Sequence, residues 1–239
     1  MQLKTKAIVI SNVKFGEADL IVKCFTLEKG VVSFMLKGIR KSKKGRMRVS
    51  LFQPLTLLEI EATYKENKNL QYLKEVKVDY PLQTLHTDIF KSTIVMFLAE
   101  VLKSSIQEEE KNESLFQFLK ESLIYLDQLD STKNFHLHFI VKLTSFLGFS
   151  PDQSSEAFPY FDMLNGVFQL KEYNKYSFNN TNSVLLKELM KLENYGEAED
   201  LRLNQERRKS FLDFMMLYYE LQLQGFRKPK SLEILQQLF

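Results

Sequence analysis

Leu20-Ile21-Val22-Lys23-Cys24-Phe25-Thr26 is followed, across Glu28-Lys29-Gly30, by Val31-Val32-Ser33-Phe34-Met35-Leu36, and this pair of segments decides the fold. Both are short and rich in β-branched and aromatic residues, and the glycine-ended polar break between them reads as a hairpin turn. Upstream, Ala7-Ile8-Val9-Ile10 makes a third strand. Downstream, Pro54 introduces a strand over Leu55–Glu61, Glu66-Asn67-Lys68-Asn69 forms a polar turn, and Leu70–Val78 alternates towards its end. About five strands in the first 80 residues, with no long helical pattern among them, suit a small closed barrel of the OB type, whose loops and outer face commonly hold single strands.

Between the third and fourth strands of that order lies Lys37-Gly38-Ile39-Arg40-Lys41-Ser42-Lys43-Lys44-Gly45-Arg46-Met47-Arg48, with seven cations in twelve positions and no acid. Residues 1–80 carry 16 Lys and Arg against 8 Asp and Glu, and residues 81–239 carry 17 against 22, so the whole-chain charge of +3 conceals a basic first part and an acidic remainder. A basic loop of this density is built to hold phosphates. Lys37, Arg40, Lys41, Lys43, Lys44, Arg46 and Arg48 are therefore the candidate nucleic-acid contacts. A loop can follow a phosphate backbone, whereas reading base edges requires side chains on a rigid element. Phe15, Phe25, Phe34, Phe52, Tyr64 and Tyr72 are the aromatics available for stacking on bases, although a small barrel also needs large side chains in its interior.

From Pro81 onward the period becomes helical. Phe90, Ile94, Phe97, Leu98 and Val101 form one stripe, Leu115, Phe118, Leu119, Leu123 and Leu126 a second, and Phe211, Phe214, Met215, Tyr218 and Leu221 a third. Shorter helices fit Phe135–Leu147, Ser183–Leu192 and Ser231–Phe239, the last with Ser231 as N-cap. Residues 149–182 interrupt the pattern, and Asn165-Gly166 between two apolar segments predicts a type I′ hairpin. The reading is an α+β chain: an OB-fold nucleic-acid-binding domain over residues 1–80, then a mainly helical domain over residues 81–239 with a hairpin excursion at about 149–182.

With 44% hydrophobic residues the chain can bury a full core. One cysteine, Cys24, excludes an internal disulfide framework and suits a cytoplasmic location. Neither a secretory signal nor a membrane span is expected, because the longest apolar run, Ile94–Ala99, is short and flanked by charge. His136 and His138 lie two apart on a helix and diverge, so they read as structural and not as a metal pair. Glu108-Glu109-Glu110 and Glu197, Glu199 and Asp200 read as solvated helix ends. No nucleophile–base arrangement or glycine-rich phosphate cradle is present, which argues against an enzyme. Arg202, Arg207, Arg208 and Lys209, with Arg227, Lys228 and Lys230, are dense cations in an acidic half, and they form a candidate patch for a nucleic-acid track or an acidic, apolar peptide.

Several of these segments, in this order, resemble the N-terminal domain of the RecO recombination-mediator family: Lys6–Ile10, Phe15-Gly16-Glu17-Ala18-Asp19-Leu20-Ile21-Val22, Phe25–Gly30, Leu36–Lys43 and Phe52-Gln53-Pro54-Leu55. Leu147-Gly148-Phe149-Ser150-Pro151-Asp152 and Gly225-Phe226-Arg227-Lys228-Pro229 are similar to landmarks of that family's helical part. The resemblance implies an OB-fold followed by a helical domain, binding to single- and double-stranded DNA, annealing of complementary strands, and action with RecR to load RecA on DNA covered by SSB. It also implies contact with the acidic C-terminal tail of SSB. Some relatives carry a four-cysteine zinc site after the Gly-Phe landmark, but Gln153–Asn165 has no cysteine, so no zinc or other cofactor is expected. Two other readings stand beside this one: a general RNA-binding OB protein with a helical dimerisation domain, and a protein-interaction adaptor whose basic loop only adds affinity.

Overall fold

The computed structural model describes residues 1–41, 48–106 and 110–239, which form two compact units, 1–128 and 129–239. The first unit is built on five strands, β1 (Gln2–Phe15), β2 (Asp19–Thr26), β3 (Gly30–Leu36), β4 (Leu57–Thr63) and β5 (Leu70–Val78). They close in the order β1-β2-β3-β5-β4, with β3 and β5 parallel and every other pair antiparallel. This is the predicted OB barrel. β1 is longer than its apolar centre suggests because it pairs with β4 over residues 2–8 and with β2 over residues 7–15. A bulge between Val9 and Ser11 bends it from one partner to the other. Val9, Val22, Phe34, Phe52 and Ile60 fill the barrel together with Cys24, whose thiol burial pushes up to about 12.

The next two helices, α1 (Ile89–Ser105) and α2 (Glu113–Gln128), belong to the same unit as the barrel. Asp88 caps α1 by accepting the N–H groups of Phe90 and Lys91, both at 2.9 Å. α1 packs on β1, and Phe116 of α2 meets Phe25 on the outside of the barrel at 6.0 Å between ring centroids. The apolar stripes differ at two places from those expected. Phe90 is exposed, and Phe116, which lies outside the expected second stripe, is buried where Phe118 is only half-buried.

One carboxylate explains why this unit extends past Pro81. Asp127, at the end of α2, accepts the main-chain N–H groups of Gln83, Thr84 and Leu85 at 2.8, 2.7 and 2.9 Å. Burial pushes its carboxyl up, but these bonds outweigh it and leave the acid below its ordinary range. The buried Lys91 ammonium donates to the Asp127 carbonyl oxygen at 2.7 Å and to the Thr84 hydroxyl at 2.8 Å. The segment joining barrel to helices is thus strapped to α2.

The second unit comprises α3 (Phe135–Phe146), α4 (Thr181–Lys191), α5 (Tyr195–Asp200), α6 (Gln205–Gln222) and α7 (Leu232–Leu238), with a small sheet of β6 (Tyr160–Asp162), β7 (Val167–Gln169) and β8 (Ser177–Phe178). α3 packs against α4, α5 and α6. Ser231 stands at the N-cap of α7, but its side chain makes no capping bond. The Asn165-Gly166 turn is not type I′: Asp162 pairs with Val167, so the loop has four residues, and only Gly166 has a positive φ, of 66°. The Asp162 carboxylate reshapes it by accepting the Leu164 N–H and the side-chain amides of Asn165 and Asn174 at 3.0, 2.7 and 3.2 Å. A Cβ at Gly166 would lie 2.8 Å from the Tyr218 hydroxyl, so glycine is needed there on two counts.

That carboxylate also bears on zinc. The only acid in Gln153–Asn165 besides Glu156 is already occupied by three donors, the segment has no thiol, and the described residues contain no cluster of three or more His, Cys, Asp or Glu able to hold a metal ion. The residues present do not fit a zinc site.

Candidate nucleic-acid interface

The basic segment leaves β3 beside the tight turn that joins β1 to β2, and the two are tied together. The Arg40 main-chain N–H donates to the Ala18 carbonyl at 3.0 Å, and its guanidinium donates to the carbonyls of Glu17 at 3.1 Å and Gly16 at 3.4 Å. Asp19 accepts the Gly38 N–H at 2.8 Å, an arrangement that requires Gly38 to turn with φ +67°. Lys41 pairs with Glu17 at 3.1 Å, both side chains being well exposed, so the pair adds little stability and can exchange for a phosphate.

This geometry modifies the sequence picture. The basic loop has no acid of its own, yet Glu17 and Asp19 stand against it in space and hold its first turn in place. Lys37, Arg40 and Lys41 are exposed where the chain leaves β3 beside this turn, and Arg48 is exposed immediately before a 3-10 turn at Val49–Phe52. Lys43, Lys44 and Arg46 lie outside the described residues.

Of the six aromatics able to stack on bases, Phe25, Phe34 and Phe52 are buried and Tyr64 is half-buried beneath Lys29. Phe15 and Tyr72 are exposed, and the Lys37 ammonium stands 5.4 Å from the Tyr72 ring centroid.

In the second unit the seven expected partner-binding cations separate into different roles. Arg208 is half-buried and donates to the main-chain oxygens of Leu203 and Phe239; burial lowers its pKa. Arg207 donates to the Thr181 carbonyl at 3.0 Å. These two hold α6 to its surroundings. Lys209, Lys228 and Lys230 come together along an open groove of about 530 Å³ that is also lined by Pro229 and Leu232, by the exposed acid Glu233, and by Gln236 and Gln237. Lys228 is paired there with Asp213 at 2.9 Å, and Arg202 and Arg227 are exposed away from the groove lining.

The chain matches the family model for the N-terminal domain of recombination protein O over residues 1–81, and the model for its C-terminal domain over residues 86–233. It belongs to the RecO family. Curated relatives named DNA repair protein RecO include those of Christiangramia forsetii and Flavobacterium johnsoniae, each 46% identical over 239 residues, and of Bacteroides fragilis, 37% identical over 243 residues. In all three comparisons the match covers 100% of both chains. RecO proteins serve DNA repair and recombination, the role expected from the quoted segments. The two family models meet near the change of periodicity, while the compact units divide at Gln128: α1 packs on β1, Phe116 of α2 packs on Phe25 of the barrel, and Asp127 straps the connecting segment to α2. Among the described residues no helix is long and apolar enough to cross a membrane.

One structural feature of the second unit differs from the sequence expectation. Glu199 was expected to be solvated, but it receives the N–H groups of Lys133, Asn134 and Phe135 and the Ser131 hydroxyl, and so closes the N-terminus of α3. Glu197 is likewise engaged, with the Glu193 N–H and the Asn194 amide. Glu108 and Glu109 lie outside the described residues. The outer face of the barrel, expected from the fold type, acquires definite residues only when the strand registers are known.

Proposed function

We propose that this chain is a non-catalytic recombination mediator of the cytoplasm that binds single- and double-stranded DNA, anneals complementary strands, and acts with RecR to load RecA on SSB-covered DNA. The observation that carries the reading is the group of exposed cations Lys37, Arg40 and Lys41 beside the β1–β2 turn, with exposed Arg48 at the far end of the same basic segment, on an OB barrel within the first 80 residues, which hold an excess of positive charge. Each strand is a polyanion, and cations that neutralise phosphates on both lower the repulsion opposing their pairing. Such a mechanism needs positioned charge and no covalent step. In the second unit, the groove lined by Lys209, Lys228 and Lys230 has the charge and apolar wall to take the acidic tail of SSB.

The test is annealing of complementary oligonucleotides, free and coated with SSB. Acceleration in both states supports the mediator reading; failure to accelerate either removes it. Competition with a ribo-oligonucleotide of the same sequence separates the RNA-binding alternative, since that protein would prefer the strand carrying 2′-hydroxyls. A tight protein partner with no DNA binding would favour the adaptor.

A further inference from the structure

The outer face of the barrel carries an apolar line that runs across four strands. Val13 on β1 pairs with Ile21 on β2, Ile21 with Met35 on β3, and Met35 with Tyr72 on β5. Cross-strand partners project to the same side of a sheet. The adjacent partners Leu20 and Leu36, and Phe34 and Gln71, are buried towards the interior, so this line faces outward. Phe15 lies one outward position beyond Val13 on the same strand.

Elsewhere on this face the apolar outward residues are covered. Ile8, Phe25 and Val31 pair across β1, β2 and β3, all three are buried, and Phe25 packs on Phe116 of α2. The line through Val13 is open at its two ends and covered in its middle: Val13 is 56% exposed, Phe15 52% and Tyr72 47%, whereas Ile21 is half-buried and Met35 is buried. Outward positions on a solvated sheet face are ordinarily polar. An apolar line ending in two exposed aromatics is therefore a surface with a ligand to bind.

Charge around the line indicates which ligand. Lys23 flanks it on β2, two residues from Ile21, and Lys37 flanks it two residues beyond Met35, its ammonium over the Tyr72 ring. Arg40 and Lys41 continue the cationic border. Two acids stand at the end of the line: Asp19, the cross-strand partner of Phe15, accepts the Gly38 N–H, and the exposed Glu17 pairs with Lys41. An apolar, aromatic strip between cations is complementary to unpaired bases with their phosphates alongside. A duplex keeps its bases stacked inside and offers this surface only phosphates.

We propose that the exposed side chains of Phe15, Val13 and Tyr72, supported by half-buried Ile21 and buried Met35 beneath the line, form a stacking platform for the bases of single-stranded DNA, and that Lys23 and Lys37 bind the adjoining phosphates. This rests on the DNA-binding reading above and divides its labour: the loop cations hold either form of DNA, and the platform selects the single strand. Strands about 4.8 Å apart give a line on the order of 14 Å long, enough for about two or three bases. In annealing, such a platform presents bases unstacked from their neighbours while the loop draws in the complementary strand.

The experiment compares full-length wild type with Phe15→Ala and Tyr72→Ala by fluorescence anisotropy, using an oligodeoxythymidine and a duplex of equal length. A stacked base is worth about 1–3 kcal/mol, so each variant should weaken single-strand binding roughly 5- to 150-fold, leave duplex binding within about twofold, and keep the salt slope, because every phosphate-binding cation is retained. Tyr72→Phe should retain wild-type affinity. Unchanged single-strand binding in the folded alanine variants overturns the platform while leaving DNA binding intact, as does an equal loss for both DNA forms. A wild type that binds neither form overturns the DNA-binding reading and the platform with it. Photocrosslinking of an iodouracil-substituted strand to wild-type protein needs no variant: adducts at Phe15 or Tyr72 support the platform, and adducts confined to residues outside β1, β2, β3 and β5 overturn it.

Discussion

The carboxylate of Glu199 accepts the main-chain N–H of Phe135 at 2.6 Å, joining α5 to the first turn of α3. The same carboxylate takes the N–H groups of Lys133 and Asn134 and the Ser131 hydroxyl. Asn134 completes the joint by donating its amide to the carbonyls of Ala198 and Leu201 at 2.8 and 2.9 Å. A helix N-terminus exposes unpaired N–H groups and a partial positive charge, and an acid from a distant helix meets both here.

Replacing that acid tests its importance. Glu199→Gln exchanges one acceptor oxygen for an NH2 group that would face donors, so the variant should unfold about 1–3 kcal/mol more easily, with DNA binding by the folded fraction unchanged. Urea unfolding followed by circular dichroism is the measurement. A loss below a few tenths of a kcal/mol would show that the joint adds nothing.

The basic loop makes a second prediction. Changing Lys37, Arg40, Lys41, Lys43, Lys44, Arg46 and Arg48 together to Gln or Ser should weaken binding to every DNA sequence and flatten its salt dependence. For single strands the log–log slope falls by roughly 0.7 for each phosphate no longer neutralised. Titrations at several salt concentrations read the slope directly, and a folded variant with the wild-type slope would remove the loop from the interface.

Acid should destabilise the fold through α3. His136 is fully enclosed against Phe239, with ring centroids 5.1 Å apart, and neither ring nitrogen has a hydrogen-bond partner within the protein. Burial, aided by the nearby Arg208 guanidinium, lowers its pKa from 6.5 to about 3. Burial, with Lys142, lowers that of His138 from 6.5 to about 4. The unfolded chain binds these protons first, so stability is complete above about pH 6.5 and is lost as pH falls towards the folded values. Between pH 7 and pH 5 His136 alone should account for about 2 kcal/mol. In His136→Gln the difference between unfolding free energies at those two pH values should shrink by about that amount; an undiminished difference would assign acid sensitivity elsewhere.

A fourth prediction concerns the groove in the second unit. Lys209→Gln, Lys228→Gln and Lys230→Gln in one chain should weaken binding of a labelled acidic SSB-tail peptide at least about tenfold, since charge-assisted bonds to carboxylates are worth roughly 1.5–3 kcal/mol each. Arg208 is left in place because its guanidinium supports the main chain at Leu203 and Phe239. Saturating DNA should not displace the peptide from wild type. Displacement would mean that the tail competes for the DNA cations and that the groove has another use.

The outline of the fold was legible in local pattern. Alternation and turn residues around Leu20–Leu36 identified a barrel, the change of period after Pro81 identified helices, and the charge count singled out the basic segment after Leu36 as the candidate for holding phosphates. The same marks could not sort Phe15 and Tyr72 from Phe25, Phe34 and Phe52. Alternation sets which neighbours share a face, but not which face the rest of the chain will cover: Phe25 points outward, yet it is buried, with Phe116 of α2 packed against it.

Tertiary structure alone also gave Asp127, Asp162 and Glu199 their roles. Asp127 reaches N–H groups more than forty positions away, Glu199 reaches more than sixty, and Asp162 reshapes a turn that its dipeptide would otherwise have closed in two residues. A sequence records backbone preference and periodicity, which act between near neighbours. It does not record which distant carboxylate meets which unpaired donor, because that depends on where closure of the barrel and packing of the helices bring the chain back upon itself.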